Sequence, residues 1–87
     1  MKKEVTILNK TGLHARPAAL FVHEASKYEC DVKVEKDGRE INAKSIMGVL
    51  SLGVGQGTKI NIIADGVDEK EAMDALVKLV ESKFGEE

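Results

Sequence analysis

The sequence predicts an α+β domain of two layers, an open-faced sandwich in which three helices cover one face of a four-stranded, mainly antiparallel sheet. Two observations lead to this prediction. Apolar residues alternate with polar ones in short segments and follow a helical period in longer ones, which gives the order β-α-β-β-α-β-α. An Asp-Gly pair between two of the strand segments indicates a tight hairpin. Elements in this order pack as helices on a sheet, and 87 residues fit a single domain over 1–87.

The first strand and the first helix are predicted within the first 27 residues. Residues 5–7 alternate as a half-buried strand should, and residues 9–12 have turn-forming composition. A helix is expected from His14 to about Lys27, and Pro17 suits its first turn because proline lacks the N–H that would have no partner there. The apolar positions one turn apart are Pro17, Phe21 and Ala25.

The middle of the chain predicts a hairpin and a short helix. Strands at 32–34 and 41–43 flank the pair Asp37-Gly38. A short helix is expected within 44–53, with Ser45 as its N-cap. A fourth strand is expected around 60–62.

The last helix is predicted to begin at Asp68, with Glu71 completing a capping box. Lys83 is expected in its last turn, Gly85 as its stop, and residues 86–87 as a solvated tail. Its apolar face is expected to consist of Ala72, Leu76, Leu79 and Val80.

The composition excludes several classes of protein. The net charge is −2 with no dense basic patch, which disfavours nucleic acid as a partner. Cys30 is the only cysteine, so no intrachain disulfide can form. No signal peptide and no span long enough to cross a bilayer is apparent, so we expect a cytoplasmic protein without membrane insertion. His23 lies too far from His14 along the helix for a metal-ligand pair, so no metal site is expected. His23 is interpreted as a surface residue. Cys30 is interpreted as a loop or strand-edge thiol without a role.

The segment from Gly12 to Pro17 carries the chemistry. It places His14 at the expected start of a helix, where unpaired backbone N–H groups and the helix dipole favour a phosphate group. Neutral histidine is a good nitrogen nucleophile near neutral pH, and Arg16 can donate charge-assisted hydrogen bonds to phosphoryl oxygens. Taken alone, a histidine at this position could equally be a surface residue or a cap, and Arg16 a solvated charge.

A resemblance favours the functional interpretation. The segment resembles the phosphorylation-site signature of HPr, the histidine-containing phosphocarrier family of the bacterial phosphoenolpyruvate:sugar phosphotransferase system, and reads Gly12-Leu13-His14-Ala15-Arg16-Pro17-Ala18. The chain length, the order of elements and the segment 44–53 are also similar to that family, so the resemblance covers essentially the whole chain.

The resemblance implies a transfer protein rather than an independent enzyme, and it implies no cofactor. His14 would accept a phosphoryl group on Nδ1 from a phosphohistidine of Enzyme I and donate it to the IIA domains of sugar permeases. Arg16 would contact the phosphoryl group, and the backbone N–H groups of Ala15 and Arg16 would help to hold it.

Ser45 is the second position to which the resemblance assigns a role. On physical grounds alone it is a helix N-cap. The segment 44–48 resembles the regulatory phosphorylation site of HPr proteins from low-GC Gram-positive bacteria, which implies modification of Ser45 by HPr kinase/phosphorylase. Phosphoserine at a helix N-terminus is tolerated by the dipole, and in the family its partner is catabolite control protein A.

The resemblance also implies an apolar docking surface next to His14. Exposed apolar residues on a small protein suggest a partner site, and methionine suits a surface that meets several partners. The residues expected there are Ala19, Leu20, Ile46, Met47 and Leu50, whereas Val49 and Leu52 are expected in the core.

Two alternatives stay open within the same family. One is a purely regulatory binding module like the HPr-like protein Crh, which lacks the active histidine and acts through its phosphoserine. The other is the carrier of the nitrogen-related phosphotransferase branch. His14 favours the carrier over the first, and the segment around Ser45 favours the sugar system over the second. Self-association is not needed for transfer, so a monomer is expected.

Overall fold

The computed structural model describes residues 1–86, and the four strands and three helices follow one another in the predicted order. A short 3-10 turn, Lys83–Gly85, follows the last helix. In residues 1–86, no helix combines the length and the apolar character that a membrane crossing requires. The elements are β1 Lys2–Thr6, α1 Arg16–Ala25, β2 Asp31–Lys36, β3 Arg39–Asn42, α2 Ile46–Ser51, β4 Lys59–Asp65 and α3 Glu69–Glu81.

The strands form one sheet in the order β1-β4-β2-β3, and every neighbouring pair is antiparallel. The two-residue turn between β2 and β3 has left-handed backbone at both positions, with φ of 52° at Asp37 and 83° at Gly38. This is the geometry of a type I′ hairpin, which matches the twist of the flanking strands. The predicted hairpin and the predicted open-faced sandwich are confirmed.

One face of the sheet is buried beneath the helices. Val5 lies opposite Ile60 across the β1–β4 pair, and Val34 lies opposite Ile62 across the β2–β4 pair. Residues paired across antiparallel strands point to the same side, so these four side chains face α1 and α3 together. The opposite face is polar, with Lys33 Nζ 3.8 Å from Glu40 Oε1. The large side chains that are almost completely buried include Phe21, Ile7, Ile60, Ile62 and Leu76.

The first helix begins later than predicted. It starts at Arg16 instead of His14, because Ala15 has φ of 50° and ψ of −117°, which a helical residue cannot adopt. His14 therefore lies in the loop before the helix. The strand β1 also ends at Thr6, and Ile7 continues the core beyond it as a fully buried side chain.

The end of the last helix was predicted wrongly. Helix α3 stops at Glu81, two residues before Lys83 and well before Gly85. Lys83 and Phe84 both have left-handed backbone, with φ of 56° and 54°. This reversal turns the Phe84 ring into the core, where only 5% of the residue stays exposed. The burial of Phe84 thus coincides with a backbone conformation that does not continue the helix.

The predicted capping box at Asp68 and Glu71 is also wrong. Asp68 is the N-cap of α3, but its side chain caps nothing in the helix. Its carboxylate accepts hydrogen bonds from the backbone N–H groups of Glu29 at 2.8 Å and Cys30 at 2.9 Å. Glu69, not Glu71, reaches back, and its Oε1 accepts the Gly66 N–H at 3.2 Å. Asp68 therefore joins α3 to the loop that leads into β2.

The Asp68 contacts predict part of the acid sensitivity of this protein. The N–H of Glu29 is the main cause that lowers the pKa of Asp68, and Glu35 and Glu86 also have lowered pKa values. A group with a lowered pKa in the folded state stabilises the fold above its unfolded pKa, near 4 for Asp, and this contribution is lost as the pH falls through the folded pKa. Asp68→Asn should therefore lose less unfolding free energy than the native chain between about pH 6 and about pH 3.

Urea unfolding at the two pH values checks this expectation. Asp74→Asn is the matched control. Asp74 is exposed on the same helix, and its side chain forms no hydrogen bond or ion pair within residues 1–86. The Asp74→Asn chain should lose as much unfolding free energy between the two pH values as the native chain. An identical acid loss in the Asp68→Asn and native chains would contradict the role given to this carboxylate.

Candidate functional site

His14 is an exposed residue two positions before α1. Its imidazole forms no hydrogen bond with any of residues 1–86. The N-cap position next to it is Ala15, whose methyl group cannot accept the hydrogen bond that a serine or aspartate would accept there. Within the described chain, the backbone N–H groups of Ala15 and Arg16 have no acceptor, and the first helical bond runs from the Ala19 N–H to the Ala15 carbonyl at 3.1 Å. The helix therefore presents unpaired donors beside the imidazole.

Arg16 adds a cation to the same place. It is the first residue of α1, its side chain is exposed, and it forms no ion pair with an acidic group of residues 1–86. Pro17 follows as a buried residue without an N–H, so it starts the helix without adding an orphan donor. An exposed nucleophile, unpaired backbone donors and an unpaired guanidinium thus lie within three consecutive residues, an arrangement that suits a phosphate group.

The loop that presents His14 is fixed by close backbone contact with the loop after α2. Gly12 has φ of 67°, and a Cβ added there would lie 2.3 Å from the Val54 carbonyl oxygen. The Leu13 N–H donates to that same oxygen at 3.0 Å, and the Leu13 side chain is buried. Glycine at position 12 is therefore required by both its backbone conformation and the space around it.

A buried asparagine closes the turn inside this loop. Asn9 is 1% exposed, and its Nδ2 donates to the Gly12 carbonyl at 2.8 Å and to Thr11 Oγ1 at 3.4 Å. The Gly12 N–H donates back to the Asn9 carbonyl at 3.1 Å. The sequence predicts a turn here, but the hydrogen bond from the Asn9 side chain to Gly12 was not predicted. The Asn-x-x-Gly spacing is the signal that could have indicated it.

Ser45 is the N-cap of α2, as predicted. Its Oγ accepts the Gly48 N–H at 3.1 Å, and its backbone is extended with φ of −111°. The Ser45 carbonyl accepts the first helical bond, from the Val49 N–H at 3.0 Å. The residue is half-buried, so Ser45 is partly accessible at the N-terminus of α2.

The outer side of α2 exposes three large apolar residues, Ile46, Met47 and Leu50, which we refer to as the α2 apolar surface. Their exposed fractions are 39%, 75% and 37%. Val49 and Leu52, on the inner side, are buried as predicted. Helix α1 contacts α2, and of its two expected docking residues Ala19 is exposed, whereas Leu20 is half-buried against the core.

His23 and Cys30 differ in their exposure. His23 is exposed on α1, as expected for a surface residue. Cys30 lies in the loop before β2, one of the two expected positions, but it is buried. Burial together with the Asp68 carboxylate raises the pKa of its thiol to about 11. Among residues 1–86, no three His, Cys, Asp or Glu side chains are grouped so that they could hold a metal ion.

A family model described as "PTS HPr component phosphorylation site" matches residues 1–82. The match includes the His14 loop, Ser45 and all four strands. The chain belongs to the HPr family. The description of the family model and the names of relatives connect the family to phosphocarriers, to the phosphotransferase system and to catabolite repression.

Relatives in the HPr family include both carrier and Crh types. The phosphocarrier protein HPr of Cupriavidus necator is 45% identical over 86 residues, which cover 99% of this chain and 97% of the relative. The HPr-like protein Crh of Bacillus subtilis is 51% identical over 83 residues, which cover 95% of this chain and 98% of that protein. The similarity in sequence therefore does not separate the two types.

Solved structures of HPr-family proteins have the same fold. A crystal structure of HPr from Thermoanaerobacter tengcongensis is 60% identical, covers 100% of this chain and 98% of its own, and superposes with a TM-score of 0.98. A crystal structure of the Bacillus subtilis Crh, described as a swapped and intertwined dimer, is 52% identical, covers 92% of each chain and has a TM-score of 0.77.

Proposed function

We propose that this chain is a phosphocarrier of the sugar phosphotransferase system, in which His14 accepts a phosphoryl group from phospho-Enzyme I and passes it to the IIA domains of sugar permeases. The observation that supports the proposal best is the exposed His14 beside the unpaired N–H groups of Ala15 and Arg16. The carrier acts stoichiometrically between enzymes and needs no cofactor or metal.

The chemistry is an exchange of one N–P bond for another. The neutral imidazole of His14 attacks phosphorus through Nδ1 while the N–P bond of the Enzyme I phosphohistidine breaks, and its electron pair returns to the donor imidazole. Charge on the phosphoryl oxygens is offset by the backbone N–H groups of Ala15 and Arg16 and by the Arg16 guanidinium. Because the new bond is again a phosphoramidate, the group can move onward to a IIA domain.

An exposed acceptor requires partners that cover it. We propose the α2 apolar surface, together with Ala19 and Leu20, as the docking surface for Enzyme I and the IIA domains. Exposed apolar side chains of this size mark interaction sites, and the flexible Met47 side chain can fit more than one partner. The cytoplasm is the compartment in which these partners would meet the carrier.

Ser45 is proposed as a regulatory site for HPr kinase/phosphorylase. Phosphate oxygens on Ser45 can accept the Gly48 N–H that the hydroxyl accepts now, and the helix dipole favours the added charge. The modified helix would carry a dianion beside the α2 apolar surface. This charge would weaken docking to acidic partners and create a site for an arginine-bearing partner such as catabolite control protein A.

Phosphorylation from phosphoenolpyruvate through Enzyme I tests the carrier proposal. The native chain should acquire acid-labile, base-stable phosphate, and His14→Ala should acquire none, because the other histidine, His23, lies two turns further along α1. His23→Ala is the matched control, since His23 is exposed on the same helix, and it should be labelled like the native chain. A native chain that stays unlabelled would overturn the carrier function.

Incubation with ATP and HPr kinase/phosphorylase tests the second site. The expected product is acid-stable phosphate that is lost in Ser45→Ala. Ser51→Ala is the control, because Ser51 lies exposed at the other end of α2. Equal labelling of the Ser45→Ala and native chains would contradict the regulatory assignment.

A purely regulatory, Crh-like module is the second candidate, because the chain is also 51% identical to Crh. The two candidates differ in the Enzyme I assay, since only the carrier needs His14. Assembly does not distinguish them, because the Crh crystal structure is a swapped dimer and a crystal structure of an HPr from Thermoanaerobacter tengcongensis, 62% identical to this chain, is also described as a dimer. We expect this chain to act as a monomer. Light scattering on the purified chain measures the assembly directly. A nitrogen-branch carrier would accept phosphate from that branch's Enzyme I in preference to the sugar-system enzyme.

A further inference from the structure

The segment after α3 returns to the loop that carries the candidate acceptor. We refer to residues 82–86 as the C-terminal strap. Its backbone is left-handed at three consecutive positions, with φ of 56° at Lys83, 54° at Phe84 and 79° at Gly85. Such a run is costly for the two non-glycine residues, and it persists only where contacts over-determine it. Phe84 supplies one of these contacts, since its side chain is buried in the core.

Glu86 supplies the other contact, at the far end of the strap. Its Oε2 accepts the Thr11 hydroxyl at 2.7 Å, and its Oε1 lies 3.4 Å from the Thr11 backbone N–H, which donates to it. The hydrogen bond from Thr11 is the main cause that lowers the pKa of the Glu86 carboxyl, so the group is ionised when it makes these contacts near neutral pH. One carboxylate thus holds both the side chain and the backbone of a single residue.

Thr11 belongs to the turn that sets the position of the acceptor loop. The Asn9 side chain spans this turn from the buried side, while Glu86 holds it from the solvent side. The Asn9 Oδ1 is buried without a hydrogen-bond partner in residues 1–86, so the asparagine is joined to the turn only through its Nδ2 and its backbone carbonyl. The next residues along the chain are Gly12 and Leu13, which contact Val54, and then His14.

We propose that Glu86 is a positioning residue, which holds Thr11 and thereby fixes the direction in which the loop presents His14 and the unpaired N–H groups of α1. This inference rests on the proposed carrier function. Glu86 itself touches no reacting atom. Its effect is to reduce the range of orientations that the loop can take before phosphoryl transfer, and transfer depends steeply on the alignment of nucleophile, phosphorus and leaving group.

Loss of Glu86 should affect kcat and not KM, because Glu86 is not part of the proposed docking surface. The α2 apolar surface lies on another helix and forms no hydrogen bond with the strap, so loss of Glu86 should leave the encounter with Enzyme I unchanged. In steady-state phosphorylation, Glu86→Ala should lower kcat about three- to tenfold, less than the roughly 100-fold that a full ångström of misplacement can cause. KM should stay within about twofold of the native value.

Matched variants distinguish positioning from a change of charge. Glu86→Gln keeps an acceptor oxygen for Thr11 and should recover most of kcat, although it removes the same charge as Glu86→Ala. Glu81→Ala is the control. Glu81 is exposed at the end of α3, and its side chain forms no hydrogen bond or ion pair within the described residues. It should match the native chain. An unchanged kcat in Glu86→Ala, or equal losses in Glu86→Ala and Glu86→Gln, would overturn the proposal.

Amide NMR spectra of the unphosphorylated chain test the positioning without the transfer reaction. The Thr11 amide signal should follow the acid titration of the Glu86 carboxyl. In Glu86→Ala, shift changes should extend from Thr11 through His14 to Arg16. Changes confined to Thr11 would refute positioning, even in a chain that is phosphorylated normally. Failure of phosphorylation in the native chain would instead refute the carrier function and leave the NMR result as a separate measurement.

Discussion

Replacing Gly12 with alanine is expected to destabilise the fold by about 3 kcal/mol or more, and to be the most damaging single-methyl substitution in the acceptor loop. Two effects add at this position. Alanine is strained at the observed φ of 67°, and its Cβ would lie 2.3 Å from the Val54 carbonyl oxygen and 2.7 Å from the Gly55 Cα. Both neighbours are backbone atoms, so relief requires the two loops to separate. Separation would break the hydrogen bond from the Leu13 N–H to Val54 and release the segment that holds His14.

Gly53→Ala isolates the steric part of this effect. Gly53 has nearly the same φ, 63°, but an added Cβ would meet no atom within 4 Å. Its cost should be the backbone strain alone, about 1 kcal/mol. Urea unfolding of both variants measures the difference, and Enzyme I-dependent labelling should fall in Gly12→Ala while Gly53→Ala stays near native. Equal destabilisation of the two variants would show that the close approach of the loops does not matter.

The second large effect is expected at Phe84, where alanine should cost about 3 kcal/mol because a buried aromatic side chain is removed. Glycine removes one carbon more, yet Phe84→Gly should be at least as stable as Phe84→Ala. The reason is the left-handed backbone at Phe84, with φ of 54°, which strains alanine and not glycine. The usual order of the two residues is thus reversed by the conformation of the strap.

His23 provides the control for this comparison. It lies exposed in the regular part of α1, where His23→Gly should be about 1 kcal/mol less stable than His23→Ala, in the ordinary order for a helix. Thermal and chemical unfolding of the four variants gives the two differences. If Phe84→Gly proves clearly less stable than Phe84→Ala, the left-handed backbone described for the strap is wrong.

The sequence predicts the regular parts of this fold because local signals determine them. The Asp37-Gly38 pair specifies a type I′ turn with only two residues, and the observed φ values agree with it. The cap at Ser45 is equally local, since its oxygen reaches a donor three residues away. The failures share a different cause. Asp68 resembles a helix cap in sequence, but its carboxylate bonds with the loop at Glu29 and Cys30, almost 40 residues away.

The candidate site was predictable in part for the same reason. The sequence predicts His14 and Arg16 as site residues because they lie two residues apart in a recognisable segment. In the structure both are exposed, and the backbone N–H groups of Ala15 and Arg16 have no acceptor within residues 1–86. The supports of the loop were not identified. Val54 and Glu86 approach it from distant parts of the chain, and Glu86 does so only because the strap reverses direction after α3. Periodicity and capping rules describe neighbours in sequence, so contacts of this kind lie outside them.

The antiparallel pairing of β1 with β4 has a consequence for the newly made protein. Val5 pairs with Ile60, and the loop that follows β1 takes its contacts from Val54 and Glu86. The segment around His14 is therefore synthesised before the residues that support it. At the usual rate of synthesis, the delay between His14 and Glu86 is on the order of 4–14 s. During that time the histidine is present in an unfinished chain without its fixed surroundings. Full competence as an acceptor should therefore arise only after the residues that support the His14 loop have been synthesised and folded.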